Sequence, residues 1–178
     1  MKLLSVLLSL MTLVSLPALA TDPPALPAAG SPAPAFSLQN QEGANVSLDQ
    51  FHGKWVVLYF YPKDFTSGCT LEAHNFQRDL DKFEKQNAAI VGVSVDSVDS
   101  HKSFCAKESL NFKLLADTDH SVSEKYGSVI EYNGNKLAAR NTFLIDPKGV
   151  IRKVYAKVSP AKHSEEVLAD LAALQAAK

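Results

Sequence analysis

Apolar and polar positions change their period several times along the chain. "FSLQNQEGANVSL" (36–48) alternates around a Gly-Ala-Asn turn, the pattern of a hairpin. "WVVLYFY" (55–61) is a continuous apolar run, as expected of a strand buried on both faces. From Gly68 to about Lys85 the period lengthens. Ala73, Phe76, Leu80 and Phe83 recur at steps of three and four and make one helical face. "AAIVGVSVD" (88–96) reads as another buried strand. "SVDSHKSFCAKES" (97–109) reads as a helix with Ser97 as its cap and Asp99 in its first turn. "TFLID" (142–146) and "VIRKVYA" (150–156) flank Pro147-Lys148-Gly149 as a second hairpin. "SPAKHSEEVLADLAALQ" (159–175) closes the chain as a helix, with Ser159 as cap, Pro160 in the first turn and Val167, Leu168, Leu171 and Leu174 as its apolar stripe. Strands alternate with helices early, and a hairpin and a helix follow. That order predicts an α/β fold, a mixed sheet with helices on both faces and a hairpin at its N-terminal end.

The chain has 178 residues, and the first twenty do not read as part of this fold. "MKLLSVLLSLMTLVSLPALA" runs from Lys2 through an apolar core to Ala18-Leu19-Ala20, the layout of a cleavable secretory signal. A membrane anchor is the alternative, but Pro17 breaks a run already shorter than the roughly 20 residues a span needs. Either reading puts the domain in the periplasm or otherwise outside the cytoplasm. Residues 21–31 form a Pro/Ala-rich leader, and 32–178 form one domain large enough for a full core. Removing Lys2 from the 18 basic residues leaves 17 against 19 acidic ones, a formal charge of −2. Such a balance gives no electrostatic footprint for nucleic acid or for an anionic membrane surface.

Two cysteines, Cys69 and Cys105, are present. In an exported protein they suit a structural disulfide, so their surroundings must decide. Cys69 stands at the start of the helix that follows the buried strand. Pro62 ends the strand, Thr66 or Ser67 can cap the helix, and Gly68 leaves room for a close approach. Free N–H groups of a first helical turn favour an anion there, and a thiolate is such an anion. The Thr66 hydroxyl can donate to an oxygen held beside the sulfur.

"FYPKDFTSGCTLE", with its Pro-x-x-x-Thr-x-x-Cys spacing, resembles the peroxiredoxin active site, and "GCTLEAHNF" resembles the Q-type subfamily, also called bacterioferritin comigratory protein. The likeness continues through "GVSVDSVDSHKSF", "NFKLLADTDHSVSEKYG" and "RNTFLIDPKG", and so covers nearly all of 32–175. It implies a thioredoxin-like fold and a thiol-dependent peroxidase. Cys69 would be the peroxidatic cysteine, shielded by Pro62. Thr66 would bind peroxide, Arg140 would stabilise the thiolate, and Glu72 would hold the arginine. Two positions depart from the subfamily pattern. Ser67 stands where proline is common. His74, five residues after Cys69, stands where many relatives carry a resolving cysteine. The resemblance to another branch leaves that role to Cys105, on the following helix.

Other chemistries fit less well. His101 and Cys105 are four apart on one helix, but no Cys-x-x-Cys or His-x-x-x-His grouping supports a metal. A disulfide exchanger would carry cysteine at position 72, which is glutamate. No motif supplies a protease base. The non-enzymatic alternative is a disulfide-stapled thioredoxin-like binding module. The peroxidase reading calls for no metal, haem or flavin. It implies a peroxide substrate, a thioredoxin-like dithiol reductant and a monomer.

Overall fold

The computed structural model describes residues 25–177, so the proposed signal segment lies outside the described residues. The N-terminal hairpin consists of β1 (Ser37–Asn40) and β2 (Asn45–Ser47), and a 3-10 turn at Leu48–Phe51 follows it. Then come β3 (Trp55–Phe60), α1 (Ser67–Lys85), β4 (Ala88–Ser94) and α2 (Val98–Glu108). The second half contains β5 (Lys113–Ala116), α3 (Ser121–Lys125), β6 (Val129–Tyr132), β7 (Asn135–Ala138), β8 (Thr142–Ile145), β9 (Ile151–Tyr155) and α4 (His163–Ala176).

Seven strands form one mixed sheet in the order β2-β1-β5-β4-β3-β8-β9, and β6 pairs with β7 apart from it. The strand β3 lies inside the sheet, parallel to β4 from Trp55↔Ala88 to Phe60↔Val93 and antiparallel to β8 from Val56↔Ile145 to Tyr59↔Thr142. Its unbroken apolar run follows from that position, because both faces are covered. Trp55, Val57, Tyr59 and Tyr61 join one core with Phe76 and Phe83 of α1, Phe104 and Cys105 of α2, and Val167 and Leu171 of α4. Val56, Leu58 and Phe60 join the opposite core with Phe51, Val122 of α3, Tyr126 and Phe143. The three long helices therefore share one face, and α3 with the 3-10 turn covers the other. This is the mixed thioredoxin-like α/β fold the sequence implied.

Ser97 caps α2 as expected, accepting from the Ser100 N–H at 3.2 Å. The last helix differs from expectation. It starts at His163, not near Ser159, and no side chain caps it. Pro160 and Ala161 instead present their carbonyls to Asn75 Nδ2 of α1, at 3.0 and 3.2 Å. Docking on α1 takes these residues out of the helix. The described part of the leader is tied to the domain. Leu26 packs against the second core, and Gly30 and Ser31 exchange backbone hydrogen bonds with Ile151 at 2.7 and 3.0 Å.

Three elements escape the periodicity, namely β5, α3 and the β6–β7 hairpin. The five-residue α3 is too short to show a helical period and is held at its start by the Asp117 carboxylate, which accepts from Val122 and Ser123 N–H at 3.0 and 2.7 Å. The β6–β7 turn is Asn133-Gly134, both with positive φ (49° and 75°), as the primed hairpin turns require. "YNGN" was a readable signal for it.

Candidate active site

The strand β3 delivers the chain to Pro62, and α1 begins five residues later with Thr66 at its N-cap position. The first i→i−4 bond of α1 is Thr70 N–H to Thr66 O at 2.9 Å, so the N–H groups before it have no helical acceptor. Cys69 lies in this turn, 1% exposed. Thr66 makes no side-chain cap. Its hydroxyl is instead 2.8 Å from Cys69 Sγ and 2.9 Å from the Lys63 carbonyl. A hydroxyl has one hydrogen, so the two acceptors compete for it, and a thiolate is the stronger acceptor.

The second partner of the sulfur arrives from far along the chain. Arg140 Nη2 is 3.2 Å from Cys69 Sγ, and Arg140 Nη1 donates to Glu72 Oε2 at 2.6 Å. The antiparallel pairing of β8 with β3 carries Arg140, two residues before β8, to the end of β3 where Pro62 stands. Gly68 leaves room for this approach. A Cβ at that position would lie 2.8 Å from Arg140 Nη2. Glu72 is 1% exposed, and its other oxygen, Oε1, is among the buried atoms with no hydrogen-bond partner. Burial pushes the Glu72 carboxyl up to about 7 against the pull of Arg140. The carboxylate thus holds the guanidinium in place without fully cancelling its charge near neutral pH.

Beside Thr66 runs an open groove of about 690 Å³, lined by Pro62, Thr66 and Val95 and walled by Ile130, Tyr132 and Leu137 of the β6–β7 hairpin. Pro62 and Thr66 are legible from their spacing to Cys69, whereas nothing near them in sequence marks the hairpin wall.

Cys105 shares the burial of Cys69 but not its partners. It is a free thiol on α2, 8% exposed, and it faces a separate depression with Gln41, Glu42, Lys102 and Leu110. Burial, reinforced by the charges of Asp64 and Glu42, pushes its pKa up to about 12. His74, read as the replaced resolving position, pairs with Glu108 of α2 at 2.9 Å. The structure brings together Cys69, Thr66, Arg140 and Glu72, with Pro62 on the adjoining groove, and it holds Cys105 in other surroundings.

A helix-start thiol between a hydroxyl and a guanidinium, on a thioredoxin-like sheet, defines a class of thiol-reactive redox proteins rather than a stapled module. The AhpC/TSA family profile matches residues 29–154. The chain is 45% identical over 146 residues to a Coxiella burnetii protein that carries the name peroxiredoxin bcp, covering 80% of this chain and 97% of the relative. It is 44% identical over 147 residues to the chloroplastic peroxiredoxin Q of Sedum lineare, covering 82% and 78%. Among solved structures, a Xylella fastidiosa PrxQ C47S mutant superposes with a TM-score of 0.79 at 35% identity, over 83% of this chain and 97% of that one. Xanthomonas campestris peroxiredoxin Q gives 0.73 at 41% identity, over 78% and 90%. The chain belongs to the AhpC/TSA family, the thiol-dependent peroxidases called peroxiredoxins.

Proposed function

We propose that this peroxiredoxin reduces hydrogen peroxide and small organic hydroperoxides in two steps, with Cys69 as the attacking thiolate and Cys105 as the resolving thiol. The observation that carries the proposal is the pair of donors on Cys69 Sγ, Thr66 at 2.8 Å and Arg140 at 3.2 Å. Donors so placed favour the thiolate and can stabilise the oxygen anion that departs as the sulfur is oxidised. The thiolate attacks one peroxide oxygen, the O–O bond breaks, and the second oxygen leaves as hydroxide or alkoxide and takes up a proton. Cys69 is left as a sulfenic acid. Pro62 lines the same groove as Thr66, a place that suits the shielding role the family resemblance gives it. The groove beside Thr66 has room for a short alkyl chain.

Cys105 then displaces the sulfenic hydroxyl as water and closes an intramolecular disulfide. A thioredoxin-like dithiol protein restores both thiols by exchange. The electrons come from thiols throughout, so the cycle has no step for a metal, haem or flavin. The N-terminal signal pattern supports a protein exported to the periplasm or beyond, and the monomer implied by the family resemblance belongs to the same proposal. Intact mass and free-thiol count, before and after one equivalent of hydrogen peroxide, test the proposal. Loss of two hydrogens and both thiols is expected. An unchanged mass in the reduced protein would sink it.

A further inference from the structure

A buried cluster outside the cysteine's own partners joins the active loop to the helix that carries Cys105. Asp64, between Pro62 and Thr66, is 3% exposed, and His101 of α2 is fully buried. The Asp64 carboxylate accepts from Ser100 Oγ at 2.7 Å and from Tyr61 Oη at 2.7 Å, and it lies 2.9 Å from His101 Nδ1. His101 Nε2 faces the Leu115 carbonyl of β5 at 3.1 Å. The imidazole thus bridges the Asp64 carboxylate and the β5 backbone. The Asp64 N–H donates to Asp96 Oδ2 at 2.9 Å. Burial works to raise the Asp64 pKa, but its donors, His101 first, hold it below the usual range.

Two further contacts continue along the same side of α2. One turn on, the Phe104 ring meets Phe65 edge to face at 5.1 Å. Phe65 is a half-exposed aromatic residue with φ of 60°, a strained backbone for such a side chain. Another turn on, Glu108 pairs with His74 of α1. Positions 100–101, 104 and 108 therefore dock α2 on the Cys69 segment, with Cys105 on the docked helix. Cys105 in this state is a buried thiol that lines a depression separate from the groove beside Thr66. A disulfide requires the two Cα atoms within about 7 Å and suitably directed side chains.

We propose that Asp64, Ser100 and His101 are positioning residues that hold the Cys105 helix on the active loop while peroxide is attacked, and that the strength of this clasp sets the lifetime of the Cys69 sulfenic acid. The inference rests on the cysteine roles proposed above. When α2 leaves the clasp, the Cys105 thiol reaches solvent. Its sulfur then forms the S–S bond, the Cys69 S–O bond breaks, and the departing hydroxyl leaves as water with the Cys105 proton. A tight clasp delays this step and exposes the sulfenic acid to a second peroxide and so to sulfinic acid.

Rapid quenching with a sulfenic-acid trap, followed by mass spectrometry, reads the lifetime directly. Ser100→Ala removes one hydrogen bond to a carboxylate and is expected to shorten the lifetime roughly tenfold and lower the sulfinic yield at excess peroxide. The first peroxide attack should stay within about twofold, because no donor to Cys69 changes. Ser100→Thr keeps the hydroxyl and should restore the wild-type lifetime. His74→Ala, on the half-exposed outer contact, should shorten it by a smaller factor and serves where variants at the buried sites fail to fold. An unchanged or longer lifetime in folded Ser100→Ala and His74→Ala overturns the inference, even if both lose thermal stability. Absence of any trapped sulfenic acid in the wild type overturns the peroxidase reading instead.

Discussion

Cys69 and Cys105 are both buried thiols on the first and second helices of one domain, yet the groups around the two sulfurs differ. Cys69 has a hydroxyl at 2.8 Å and a guanidinium at 3.2 Å on its sulfur. Cys105 has mainly apolar neighbours and acidic charges at a distance, and its thiol is pushed up to about 12. The difference teaches that burial by itself disfavours a thiolate, and that donors aimed at the sulfur are what can favour one in a buried place.

The strongest way to break the comparison is to exchange serine for each cysteine. Cys69→Ser should abolish peroxide consumption in a folded protein. Cys105→Ser should leave the first attack fast and then accumulate sulfenic and sulfinic acid on Cys69. Many turnovers at the wild-type rate in Cys105→Ser, with a protein dithiol present, would remove Cys105 from the cycle. Alkylation sharpens the contrast without mutation. At pH 7.5, iodoacetamide should label Cys69 in the reduced protein roughly 10³-fold or more faster than Cys105, because only thiolate reacts. Peptide mapping over time reads the ratio, and comparable rates would refute the assigned environments.

Arg140→Ala makes the surroundings of Cys69 more like those of Cys105. It should slow the attack on peroxide by on the order of 10²–10³, measured by stopped flow on folded protein. Gly68→Ala is a gentler version. The new Cβ would meet Arg140 Nη2 at 2.8 Å and must displace it, so a loss of about tenfold is expected. Wild-type rates in Gly68→Ala would show that the guanidinium contact is unimportant.

The smallest effect concerns Glu72, which shares the buried setting. Its folded-state pKa is raised to about 7, so between the ordinary carboxylate range and about pH 7 the folded protein binds more protons than the unfolded one. This contribution to stability is present at pH 4 and is lost as pH rises through about 7. Urea midpoints should therefore drift downward over that window in the wild type and be flatter in Glu72→Gln. The same slope in both would assign the titration elsewhere.

Much of this arrangement was legible in the chain itself. Continuous apolar runs gave β3 and β4, three-and-four spacing gave α1, and local spacing placed Pro62, Thr66, Gly68 and Cys69 around one helix start. These features depend on residues within two or three turns of one another, so periodicity and capping chemistry are enough to read them. The start of α4 was misplaced because Ser159 and Pro160 satisfy a local rule for helix starts that docking on Asn75 overrides. Neither α3 nor β5 is long enough to show a period.

The amino-acid order by itself determined a helix-start cysteine behind an apolar strand, and a likeness to one family that proposed its partners. Only the tertiary structure decided which atoms meet the sulfur. Arg140 stands 71 residues from Cys69, and it is the register of β8 on β3, with the missing side chain at Gly68, that brings a guanidinium to 3.2 Å. The link from Asp64 to His101 likewise spans 37 residues and depends on α2 packing on the same face as α1. Such contacts arise from sheet register and core packing, which act through space and leave no periodic mark along the chain.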